Sequence, residues 1–157
     1  MSEEFELLVL PGKWEINYNY VAGETLSRFF HELKNNGRIM AVKCPKCQRV
    51  LLPPFSYCER CFVPTGDNWI EIEPSGILES FSIVTEKFEG APEPPYVTCY
   101  VRLGQASTTV PNFLAGVDLT DIEKAKEKIK VGMRVKAVFK DKSLRVGRIR
   151  DFEIVPE

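Results

Sequence analysis

Between Thr25 and Asn36 the apolar positions fall at Leu26, Phe29, Phe30 and Leu33, spaced i, i+3, i+4 and i+7. That spacing predicts an amphipathic helix with one apolar stripe. Thr25 is placed to cap its start, and Asn36-Gly37 to end it, because both residues accept the left-handed conformation beyond a helix. Phe29 and Phe30 are adjacent, so they project about 100° apart around the axis. A small barrel covers one of them easily; covering both calls for a wide contact, with either the chain's own ribbon or a partner. Ahead of the helix, residues 1–23 mix polar and apolar types and carry Pro11, Gly12 and Gly23, which predicts extended or irregular structure.

From Trp69 onward the period changes to that of strands. Candidate strands cover 69–73, 76–88, 96–103, 108–117, 133–140 and 146–155. Gly76 opens the longest, where a strand of a barrel bends or coils. Pro92, Pro94 and Pro95 break the connection that follows. One helix interrupts the series, from Ile122 to Ile129, with Thr120 and Asp121 able to cap it and Val131-Gly132 ending it. Five or so strands, with one helix between the third and fourth long ones, follow the order of an OB-fold, a partly open Greek-key barrel. An SH3-like barrel or a small sandwich would use similar strands. Between the first helix and the β region, Arg49-Val50-Leu51-Leu52 reads as a short strand closed by Pro53-Pro54, and Gly66-Asp67-Asn68 as a turn. The expected organisation is a lead and helix over residues 1–42, a metal module over 43–65 and a barrel over 66–157.

The metal module rests on Cys44-Pro45-Lys46-Cys47 and Cys58-Glu59-Arg60-Cys61, with ten residues between the pairs. Two residues between cysteines let one tight turn aim both sulfurs at a single ion, and a short hairpin between pairs brings the turns together. Four thiolates fill all positions of a tetrahedral ion, so the site is structural. Zinc is expected; iron uses the same thiolate tetrahedron. The redox reading of a Cys-x-x-Cys needs a helix start within a βαβ unit, a context this region lacks. Gln48 and Phe62 follow the two pairs where many such turns place glycine.

The remaining candidates are weaker. Cys99 lies in Tyr96–Leu103, where period two puts Val97, Cys99, Val101 and Leu103 on one face. It is expected to be a buried, inert thiol. His31, the one histidine, falls in the first helix and has no evident catalytic partner. Glu71 and Glu73 are spaced like solvent-facing strand positions. The opposite face of the Cys99 strand carries Tyr96, Thr98, Tyr100 and Arg102, and Tyr100 with Arg102 makes a candidate ligand-binding pair able to stack a base.

Charge narrows the function. Lys and Arg number 21 against 22 Asp and Glu, a formal net charge of −1. Dedicated nucleic-acid binders draw most of their affinity from a basic excess, so nucleic acid is not the expected partner. No apolar run reaches the roughly 20 residues of a membrane span. The start, Met1-Ser2-Glu3-Glu4-Phe5-Glu6, is acidic and has no apolar signal core behind it, so a cytoplasmic location is expected.

The order of these parts resembles the family catalogued as domain of unknown function 35. The resemblance is carried by Gly23, Ser27-Arg28-Phe29-Phe30 and Leu33 in the helix, by Cys44-x-x-Cys47 with Arg49, by Pro53-Pro54 and by Cys58-x-x-Cys61. Trp69, Gly76, Pro94-Pro95-Tyr96-Val97 and Val131-Gly132-Met133-Arg134-Val135 extend it, so that it covers about residues 24–140. It implies a mainly β protein: an N-terminal helical segment, a rubredoxin-like zinc ribbon and a C-terminal five-stranded OB-fold barrel with one helix. It also implies a non-catalytic accessory subunit that binds and bridges an acyl-CoA enzyme, such as a thiolase or a hydroxymethylglutaryl-CoA synthase, and helps hold the CoA thioester. The departures are Gln48, where glycine is usual, and a longer lead that changes how a partner is met. A nucleic-acid-binding ribbon and OB-fold module is the competing reading, and an enzyme acting through His31 or a thiol is the third.

Overall fold

The computed structural model describes residues 8–13 and 15–157; the acidic start Met1–Glu6 lies outside them. The first helix, α1 (Gly23–His31), runs on into a π-helical turn, Glu32–Asn36, which ends at Gly37 in the left-handed conformation (φ 62°). The helix begins at Gly23, two residues ahead of Thr25, and its cap position, Ala22, makes no side-chain hydrogen bond. Its anchor is burial: Phe29 and Leu33 have no exposed surface, and Phe30 packs half-buried against the same core. Both rings thus belong to the chain's own core, and the wide contact their divergence calls for is met within the molecule.

A strand not anticipated from the sequence follows, β1 (Met40–Lys43), in a run buried on both faces that lacks the alternation of a half-exposed strand. It pairs antiparallel with β2 (Val50–Leu51) on one side and with β5 (Trp69–Glu71) on the other. Between β2 and β5 the chain makes a small hairpin of β3 (Tyr57–Cys58) and β4 (Val63–Pro64).

The remaining strands are β6 (Ser75–Val84), β7 (Tyr96–Leu103), β8 (Val110–Phe113), β9 (Arg134–Phe139) and β10 (Phe152–Pro156). They form one antiparallel sheet in the order β10-β9-β6-β7-β8. A parallel bridge between Leu114 and Ile154, and the Ala115 amide donating to the Ile154 carbonyl at 2.7 Å, join its two outer strands and close the barrel. Helix α2 (Ile122–Lys128) sits between β8 and β9, capped by Asp121, whose carboxylate accepts the Lys124 amide at 3.2 Å. This strand order, closure and helix position are those of an OB-fold. Leu78, Val101, Leu103, Val110, Val135, Phe152 and Ile154 fill its centre.

The last strand is shorter than its expected span of 146–155. Buried Asp151 accepts the amides of Val146, Gly147 and Arg148 at 2.9, 2.7 and 3.2 Å, which winds that segment into a loop ending in a 3-10 turn before β10 begins.

Candidate metal centre and barrel cleft

Each cysteine pair sits on a tight turn built from backbone hydrogen bonds. The Gln48 amide donates to the Cys44 carbonyl at 3.0 Å, and the Phe62 amide to the Cys58 carbonyl at 2.9 Å. Both turns require a left-handed residue after the second cysteine, and Gln48 (φ 62°) and Phe62 (φ 52°) adopt it. These are the positions where glycine would be relaxed. Gln48 is partly compensated, its side-chain amide donating to the Pro45 carbonyl at 2.9 Å.

The turns bring the four sulfurs of Cys44, Cys47, Cys58 and Cys61 within 4.8 Å of one another. Zinc–sulfur bonds of about 2.3 Å at tetrahedral angles place sulfurs about 3.8 Å apart, and Cys47 Sγ lies 3.7 Å from Cys58 Sγ. The donor set therefore fits a thiolate-bound zinc ion. Cys44 and Cys58 are fully buried with Val42 and Leu51 in a small apolar cluster of their own.

Proton affinities in the cluster diverge. Backbone N–H donors, foremost that of Cys47, lower the Cys44 thiol to about 6, while burial pushes Cys61 up to about 12. Four thiolates this close need positive charge, which the metal supplies. Arg49 adds to it from beside the cluster: its guanidinium pairs with Glu59, and that partner and the nearby Cys47 and Cys58 thiolates raise its proton affinity.

Phe62 has 85% of its surface in water, so burial of its ring does little to offset its left-handed backbone. Phe62→Gly is expected to stabilise the protein by about 1 kcal/mol, read as a higher denaturant midpoint with unchanged metal content. An unchanged or lower midpoint would show that the ring supports the fold.

The structure places Tyr100 and Arg102 on one face of β7, as alternation requires, but in different surroundings. Arg102 donates to Glu79 at 2.6 Å. Tyr100, half exposed, borders a cleft of ≈ 450 Å³ with Thr98, Pro111, Phe113, Ile149 and Arg150. That volume lies in the usual range for small-molecule sites. The Arg150 guanidinium stacks over the Phe113 ring at 4.4 Å, and Tyr96 meets that ring edge-on at 5.5 Å. The sequence reading missed Arg150 and Phe113, which reach the cleft from separate strands and turns; the run Arg148-Ile149-Arg150 was the available signal.

Cys99 is 2% exposed, its thiol donating to the Asn112 carbonyl at 3.4 Å, and burial pushes its pKa up to about 11. In zinc-loaded protein at pH 8 it is expected to resist thiol reagents that titrate all five cysteines after chelation and unfolding. Rapid labelling of Cys99 in the native state would contradict its inert role. His31 is exposed on α1, and Glu71 is paired with Arg38 at 2.8 Å.

Two family models match the chain. The one described as ChsH2, rubredoxin-like zinc ribbon domain, covers residues 31–65, and the one described as ChsH2, C-terminal OB-fold domain, covers 69–140. No curated protein matches it. Among solved structures, one named "Ltp2-ChsH2(DUF35) aldolase" is 22% identical with a TM-score of 0.62, over 87% of this chain and 98% of that one. At that identity the likeness shows the fold. A second, a protein of unknown function from the DUF35 family of Sulfolobus solfataricus, is 25% identical with a TM-score of 0.61, over 86% of this chain and 87% of that one. With a thiolate cage suited to zinc, an OB-fold barrel and both ChsH2 domain models in sequence order, this chain belongs to the DUF35 family.

Proposed function

We propose that the protein is a non-catalytic accessory subunit of an acyl-CoA enzyme of thiolase or hydroxymethylglutaryl-CoA synthase type. The observation that carries this reading is the ribbon's surface. Phe55, Tyr57 and Phe62 are 55, 61 and 85% exposed within one short hairpin segment, and Phe62 is held there at the expense of its backbone. Aromatic side chains are the usual anchors of protein interfaces, and strain retained on an exposed residue points to a role outside the monomer. The metal adds no chemistry to this: with four thiolates it has no open position for substrate. The structure named for Ltp2 together with ChsH2(DUF35) as an aldolase is consistent with such a pairing.

In this reading the nucleotide end of the acyl-CoA lies against the barrel. Tyr100 stacks the adenine, and Arg102 and Arg150 meet its phosphates. Tyr100→Ala, Arg102→Ala and Arg150→Ala are each expected to weaken CoA binding to the complex. Unchanged affinity in all three would move the ligand elsewhere and leave the partnership standing.

The partnership itself is tested by tagging the chain in its native host and identifying what co-purifies. An acyl-CoA enzyme retained by the wild type and released by Phe62→Glu, with zinc content unchanged, is the expected result. Recovery of the chain alone, or salt-sensitive binding to single-stranded nucleic acid in place of an enzyme, would overturn it.

A further inference from the structure

The segment ahead of α1 carries the side-chain pattern of a strand but belongs to no sheet. Residues 8–13 and 15–21 form no helix or strand, and Leu8, Val9, Leu10, Ile16, Tyr18, Tyr20 and Val21 are 63 to 95% exposed. Ile16, Tyr18 and Tyr20 alternate with Asn17 and Asn19, the period-two pattern of a half-buried strand. The rings of Tyr18 and Tyr20 lie 6.4 Å apart. Among the described residues, no backbone group of 15–20 bonds to another backbone group.

From this we infer that residues 15–21 add as a strand to an open sheet edge of the partner enzyme, an inference that rests on the accessory-subunit reading. Two needs are met at once by such an edge. It pairs the free N–H and carbonyl groups, and it receives every second side chain in an apolar pocket, which is how strand addition achieves affinity and specificity. A groove without an edge meets only the second need. Within this chain's own barrel, the outer strands β8 and β10 are already joined to each other through Leu114 and Ile154. The outer side of β2 is taken by Ser107, whose hydroxyl accepts the Val50 amide, and by Thr108, whose hydroxyl accepts the Leu52 amide. Two copies pairing their leads would make a two-stranded ribbon with its apolar face still in water, which is marginal. Tyr18 and Tyr20 alone, at about 150–250 Å² each, offer on the order of 300–500 Å², roughly half of the about 800 Å² per side in a standard interface.

The test uses the complex isolated from the native host through the tagged full-length chain. Amide exchange over residues 15–21 is expected to slow at least about tenfold in the complex relative to the free chain, at alternating positions. Neighbouring residues point their N–H groups to opposite edges, so at least one of Asn17→Pro and Tyr18→Pro should cut the retained enzyme by about tenfold or more. Asn17→Thr, which keeps the N–H, should retain it, and none of the three should alter zinc content or melting. Equal exchange in free and bound states, with both proline variants holding the enzyme as the wild type does, would overturn this inference alone. A wild-type chain that retains no acyl-CoA enzyme would overturn the reading beneath it as well. A dimer of the free chain with a protected lead would assign the strand to a second copy and overturn the enzyme edge.

Discussion

Cys58→Ser is expected to release the metal and lower the melting temperature by about 10 °C or more. Cys58 is fully buried, its sulfur lies 3.7 Å from that of Cys47, and it packs with Val42 and Leu51 in a cluster too small to hold together without the ion. Metal binding in so small a module is folding free energy, and a loss on the order of 3–5 kcal/mol shifts a chain of this size by about 2–4 °C per kcal/mol. Elemental analysis and a melting curve check both parts. Full metal content and an unmoved curve would show that the cage is not structural, and a strong chelator on the wild type should reproduce the variant's behaviour.

Gly76→Ala is expected to be the most damaging single-methyl change in the barrel. A Cβ at Gly76 would lie 2.2 Å from the Arg102 carbonyl oxygen and 2.8 Å from the Leu103 Cα, both backbone atoms of β7. Gly76 also pairs with Val135 on the other side, so relief on one ladder strains the second. Parting two buried strands should cost about 3 kcal/mol or more. Gly12→Ala, with nothing within 4 Å of its Cβ and no unusual backbone angle, serves as the control and should stay within about 0.5 kcal/mol. Equal denaturant midpoints for the two variants would contradict this account of the barrel's closure.

The parts legible in the sequence are those written in local patterns. Period two fixes Tyr96–Leu103 to the residue, and doubled Cys-x-x-Cys spacing marks the cage before any coordinates. The family's rubredoxin-like ribbon and OB-fold order also stand as expected. What escaped is non-local. β1 is a strand only because β2 and β5 flank it, and its apolar run carries no period. Asp151 turns the expected start of the last strand into a loop by collecting three amides, a competition no periodicity reveals. The cleft beside Tyr100 draws Phe113 from β8 and Arg150 from the turn before β10, and only closure of the barrel makes those two neighbours. Phe29 and Phe30 could be placed on a helix from spacing, but which surface covers them depends on the approach of the 145–147 loop, where Arg145 donates to the Leu33 carbonyl at 3.3 Å.

The way β2 is held has a consequence for how such a protein arises and breaks. Its edges are bonded to β1 on one side and to Ser107 and Thr108 of the barrel on the other, and Trp69 packs against both apolar clusters. Ribbon and barrel are thus stitched rather than strung like beads. A lineage shuffling modules could not exchange this finger for another without also redesigning the rim of the barrel. Starvation for metal, in turn, would not merely blunt one appendage: it would loosen the seam through which the whole molecule holds its shape, leaving a cell to clear an entire polypeptide rather than repair a part.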